Sequence, residues 1–309
     1  MNTTELQLSL SNISNQASFL LRESLDISPP LYKEYSTVPK LVQFVVSNLF
    51  TSCYSTSESV LFLISRYRLW DAHILYRSLL EGTVKLMFVA HDSDEMILDK
   101  CHEFWHVIPE LKLISRHKKA LDSLSIDKNS SDFDMQKPMK DIILTEEELA
   151  ALENKYPKKI RKQMEQKWSF SEIVRTLSAS GEPAYDTLVS TYHDYAIGSH
   201  LVHMDGDAIG VIWDRNKREQ ERRIALELAH GVRMATAILS YAAIRTEIYY
   251  KLYNLDVTSM HNLKRKTIAF SQEVEEHYRN WINIEYYENG SKTVSELNKS
   301  REASSTNKE

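Results

Sequence analysis

Residues 66–90 read RYRLWDAHILYRSLLEGTVKLMFVA, and this stretch decides the fold. After Arg68 it suits a single helix. At helical period His73, Arg77, Glu81 and Lys85 fall in one row, each four residues after the last. Trp70, Ile74, Val84 and Phe88 share that face, while Leu75, Tyr76, Leu79, Leu86, Met87 and Val89 cover the others. A helix that is apolar nearly all round is a buried helix. The stretch is therefore expected at the centre of a helical core, with Arg77 and Glu81 set inside it.

Composition points the same way. Only seven Gly and seven Pro occur in 309 residues, and turns need those residues. A hydrophobic share of 42% is enough for a sizeable core. Few turns with many Leu, Glu, Lys, Ala and Ser favour long helices. The net charge of −5 argues against a protein that coats nucleic acid, and leaves room for a local basic patch. Cys53 and Cys101 make neither a disulfide framework nor a cysteine zinc site. That suits a reducing compartment. MNTTELQLSLSN lacks the basic and apolar regions of a signal peptide. No uncharged apolar run of about eighteen residues occurs, so no membrane span is expected. The expected location is cytoplasmic.

Along the chain, Leu6, Leu10, Ile13, Ala17, Leu20 and Leu21 mark an amphipathic helix over 3–24. Ser28-Pro29-Pro30 ends it, and Pro39 opens the next helix, which runs to about Ile64. After the central helix, Asp92-Ser93-Asp94 caps a long helix with a kink at Pro109. Residues 122–138 read as a polar loop within an insert over about 122–160. Thr145 with Glu148, and Ser169 with Glu172, read as capping boxes. Pro157 starts the basic piece KKIRKQMEQK. Pro183 opens a helix ending at Gly206, and DGDAIGVIWD reads as a loop laid over the bundle. A long helix over Asn216–Asn254 and one more within 262–287 follow. The expectation is an all-α protein: one bundle of long helices over 1–289, with a disordered tail over 290–309.

Four stretches could carry chemistry. Arg77 with Glu81 is either an ion pair that pins the bundle or a guanidinium held ready for a phosphate or carboxylate. Tyr195, Ser199 and His203 lie four apart on a face shared with Leu188 and Tyr192, so that face is read as pointing inward. If this helix packs on the central one, all five polar residues form one cluster. His102, Glu103 and His106 match H-E-x-x-H, a spacing that sets two imidazoles on one side for zinc with Glu103 as base. Lys100 sits where such enzymes prefer an uncharged residue, and no third ligand stands out. The R-x4-6-H spacing of helical ribonucleases fits Arg68–His73, Arg66–His73 and Arg223–His230. About one or two such matches arise by chance among eleven histidines. No phosphate loop or nucleophile elbow is present, and no cofactor is called for.

On Arg77-Ser78-Leu79-Leu80-Glu81, then Tyr195, Ser199 and His203, a Gly-containing loop and a long helix, the chain resembles a family of uncharacterised all-helical bacterial proteins. The resemblance covers about 45–250, outside the polar insert and without the His102–His106 pair. Similar signatures occur in abortive-infection proteins that look like the helical superfamily known as HEPN. That resemblance implies a metal-independent ribonuclease used in phage defence, with RNA or a protein as partner and a homodimer as one form. Its site would have His203 as general acid–base, Arg77 on the developing phosphorane charge and Glu81 orienting Arg77. Tyr195 and Ser199 would donate hydrogen bonds. The alternatives are a non-catalytic scaffold with a structural polar cluster, and a zinc hydrolase on His102, Glu103 and His106.

Overall fold

The computed structural model describes residues 2–28, 37–126, 133–186 and 188–288. The expected tail over 290–309, the Pro29-Pro30 connector and the middle of the expected loop at 122–138 lie outside the described residues. Every regular element among the described residues is helical. In order they are α1 (Thr3–Asp26), α2 (Lys40–Ser65), α3 (Leu69–Ala90) and α4 (Asp94–His102). A π turn over Glu103–Val107 leads into α5 (Ile108–Ile126), then α6 (Phe133–Lys140), α7 (Glu146–Lys155), α8 (Lys158–Lys167) and α9 (Phe170–Ser178). Two short 3-10 turns precede α10 (Thr191–His203), which α11 (Gly206–Lys217), α12 (Gln220–Leu252) and α13 (Thr258–Ile282) follow.

The quoted stretch is the hub. α2 runs along one side of α3, while α9, α10 and α12 cover the rest, and α1 closes over α2 and α12. Leu80, Leu86, Met87 and Val89 of α3 are buried with Leu10 and Leu21 of α1, Leu61 and Ile64 of α2, and Ile238 of α12. The α2–α3 join is as short as the sequence implies. Tyr67 takes a left-handed φ of 58°, and the Arg68 N–H bonds the Leu63 carbonyl, closing one helix and releasing the next. At the far end of α3, the buried Lys100 ammonium donates to the Phe88 and His91 carbonyls at 2.8 Å each. A cation on the last carbonyls of a helix complements its dipole. Arg245 of α12, 1% exposed, donates to the hydroxyls of Thr83 at 2.9 Å and Ser57 at 3.3 Å, tying α12 to α3 and α2.

Several boundaries depart from the sequence reading. The kink expected at Pro109 is a π turn, in which the Ile108 N–H reaches back to the Glu103 carbonyl. A proline cannot donate to the helix ladder, and the wider turn just before it absorbs the missing bond. The loop read at 122–138 is helical at both ends, in α5 and α6. The stretch 205–214, expected as a loop over the bundle, is helical because the Asp205 carboxylate accepts from the Asp207 and Ala208 N–H groups at 3.1 Å. The Thr145–Glu148 capping box is complete. At Ser169 only half forms: its hydroxyl accepts from Glu172 N–H, while the Glu172 side chain turns to Arg175.

Candidate functional site

α10 packs on α3 so closely because Gly198 faces Arg77. A Cβ at position 198 would lie 2.6 Å from the Arg77 Cβ, closer than any real contact. His73 and Arg77 of the α3 row bond α10 along this seam, and two polar clusters form there.

The first is the expected one, without its histidine. Arg77 Nε donates to Ser199 Oγ at 2.8 Å, and Nη2 donates to the Tyr195 hydroxyl at 2.9 Å. Nη1 lies 3.7 Å from Glu81, which also pairs with Lys85 at 2.6 Å. The Ser199 hydroxyl spends its proton on the Tyr195 carbonyl at 2.8 Å. The guanidinium lies 4.5 Å from the centre of the Tyr195 ring, which stacks on Phe170 at 3.7 Å. Burial would raise the Glu81 carboxyl, but Lys85 and Arg77 outweigh it and hold the group below its ordinary value. Burial raises the Tyr195 hydroxyl, so it keeps its proton at neutral pH.

Two corrections follow. Arg77 and Glu81 sit at the edge of the core, with side chains 23% and 31% exposed, where the cost of desolvating an ion pair is reduced. His203 does not face inward. It is exposed in the last turn of α10, where Met204 at φ 48° breaks the helix, and it bonds none of the described residues.

The second cluster begins one turn earlier, at His73, and is deeper. His73 Nε2 lies 2.9 Å from the Asp194 backbone carbonyl. A carbonyl only accepts, so this nitrogen carries the proton. In the neutral ring Nδ1 is then an acceptor, and the nitrogen 2.8 Å from it, His230 Nε2, must donate. That leaves His230 Nδ1 to accept from Arg215 Nη1 at 3.1 Å. A one-way chain of hydrogen bonds thus runs Arg215, His230, His73, Asp194. Burial lowers the His73 pKa to about 4, only partly opposed by the Asp194 carbonyl. Burial, then the Arg215 charge, keeps His230 well below its ordinary value. Both rings are neutral at pH 7. The Asp194 carboxylate holds Arg233. The Arg215 guanidinium lies 3.9 Å from the Trp70 ring centre. This cluster walls a cavity of about 350 Å³ reached by Trp70, Arg215, Arg233 and Trp281.

His102 and His106 bring their rings to 5.0 Å across the π turn. Glu103 is engaged by Lys167 at 2.6 Å and by the Trp168 indole at 3.0 Å. Among the described residues, the one group of three with metal-ligand spacing is instead the surface set His200, Asp205 and Asp207.

Residues 43–221, more than half of the chain, match the model of DUF5677, a family of unknown function. The chain belongs to that family. The matched stretch runs from α2 to the start of α12, so the DUF5677 region contains Arg77, Glu81, Tyr195, Ser199 and His203, as well as His73 and Arg215. His230 and Arg233 lie beyond it. No curated protein and no solved structure matches the chain. An uncharacterised helical family was the expectation from the sequence, and DUF5677 meets it.

Sequence reasoning did not assemble the second cluster. The R-x4-6-H spacing reached both His73 and His230 but paired them with Arg66, Arg68 and Arg223. The guanidinium that bonds His230 comes from α11, and no local spacing points to it.

Proposed function

We propose that this DUF5677 protein is of the HEPN-like, abortive-infection type and cleaves RNA without a metal ion. The observation that carries the reading is the partly exposed Arg77 guanidinium, held by Ser199, Tyr195 and Glu81, on a helix pair whose free imidazole, His203, stands at the surface one turn beyond Ser199. His203 takes the proton of an RNA 2′-hydroxyl or returns one to the leaving oxygen. Arg77 meets the charge that develops on the phosphorane, and Glu81 fixes its orientation. The Tyr195 hydroxyl donates, since its proton is unused by Arg77. Ser199 positions Arg77, because its own proton goes to the backbone.

Purified protein incubated with total RNA in a chelator tests this. RNA is expected to be cleaved, and His203→Ala to slow cleavage by about 100-fold or more. Intact RNA, together with phage protection unchanged by His203→Ala in cells, sinks the reading. A second reading rests on a different observation: Arg77 spends Nε, Nη1 and Nη2 on partners within the protein, as a clamp between α3 and α10 does. Arg77→Ala separates the two. A clamp predicts a loss of roughly 2–3 kcal/mol in folding stability, from two charge-assisted hydrogen bonds. A site predicts a folded, inactive protein.

A further inference from the structure

The cavity beside the second cluster holds a cation without a bonded counter-ion. Arg215 is 8% exposed, and its Nε has no hydrogen-bond partner. Of the other arginines on this wall, Arg218 is neutralised by Asp214 at 2.9 Å and by Glu285 at 2.9 Å, and Arg233 by Asp194. No described carboxylate lies within ion-pair distance of Arg215. Glu227 supports its charge through space, yet is held by the Tyr67 hydroxyl. A second wall residue repeats the pattern, for the Trp281 indole N–H is buried and also unpartnered. Buried donors are nearly always paired, so two orphans on one cavity point to a missing acceptor.

We propose that this cavity binds a small monoanion, a carboxylate on a flat apolar body, with Arg215 as the charge anchor and the Trp281 N–H as a second donor. Arg215 is the guanidinium on this wall without a bonded carboxylate, and with Glu227 already supporting it through space a single negative charge is enough. A phosphate dianion would bring its second charge against Asp214. Beside its paired charges the wall carries Trp70, Ile197, Val211 and Leu226, which suit a flat hydrophobic body. A cavity of about 350 Å³ falls within the range of small-ligand sites, at its lower end.

The site is distinct from the Arg77 cluster, and its test uses no RNA, so it stands or falls apart from the ribonuclease reading. Trp70 and Trp281 report benzoate occupancy by fluorescence, while indole-3-acetate, whose own indole emits in the same range, is followed by calorimetry alone. Indole-3-acetate and benzoate are titrated into the purified full chain, with inorganic phosphate and adenosine monophosphate in parallel, and calorimetry measures the affinities. Saturable binding of a carboxylate is expected, weakened about tenfold or more by Arg215→Gln, the loss of a charged hydrogen-bond partner. Trp281→Phe keeps the ring, removes the donor and is expected to weaken binding several-fold. It serves as the deciding variant if Arg215→Gln does not fold. No saturable carboxylate binding, equal affinity in the variants, or tighter binding of phosphate or the nucleotide overturns the proposal.

Discussion

Acidification from about pH 7 to about pH 5 tests the His73–His230 pair directly. Each imidazole titrates at about 6.5 in the unfolded chain. In the folded chain burial keeps both neutral, with His73 lowered to about 4 and His230 held well below its ordinary value. Their folded pKa values are depressed, so the contribution is present above the unfolded value and is lost as pH falls through it. Over this window the unfolded state gains about 2 kcal/mol per histidine, roughly 4 kcal/mol for the pair. That is a large part of the 5–15 kcal/mol, on the order of magnitude, that holds a domain together. Glu81 and Glu247, with lowered carboxyl pKa values, lose their contribution only below this window. His200, raised by Asp205, works in the opposite direction, but it is solvent-exposed. Urea denaturation followed by circular dichroism at the two pH values measures the loss. His230→Gln, whose amide can accept from Arg215 and donate to His73, should remove about half of it. A wild-type protein as stable at the lower pH as at the higher refutes the assigned protonation. So does a variant that loses as much as the wild type.

Other substitutions read other parts of the structure. Gly198→Ala drives a methyl into the Arg77 Cβ and should cost about 1–3 kcal/mol, visible as a lower thermal midpoint. Arg245→Met exchanges a buried cation with hydroxyl partners only for a side chain of similar length, and stability should hold or rise in the same melt. Glu103→Gln removes the charge that pairs with Lys167 but keeps an oxygen that can accept from Trp168, and should cost about 0.2–1 kcal/mol, without changing the zinc content of the purified protein by metal analysis.

The fold was legible because the pattern of α3 is local: a 22-residue helix apolar on most faces has to be enclosed by others. Helix starts with strong chemistry, at Thr145 and Pro157, were equally plain. The stretch from Asp205 was not, since Asp205-Gly206-Asp207 looks like a turn until Asp205 is seen to cap. The Arg77 cluster could be read from two helical rows, because each row is a local pattern and only their meeting had to be assumed. His203 belongs to the same row as Ser199, yet periodicity cannot say that the helix has outrun its partner by then. The Arg215 chain joins residues on α11, α12, α3 and α10. Its partners are 157 positions apart at His73 and His230, so only the packed structure brings them together.

The π turn at Glu103–Val107 amounts to one residue too many in an otherwise continuous helix. An extra residue rotates everything downstream by about 100°. Ile97 and Cys101, before the turn, belong to the main core, whereas Leu111 and Ile114, after it, are buried apart from that core on the helix that meets α6 and α7. The insertion thus acts as a swivel that points one helix at two separate layers. Deleting a single residue there would turn the anchors of the outer layer aside and loosen α6 and α7, each of which packs on α5.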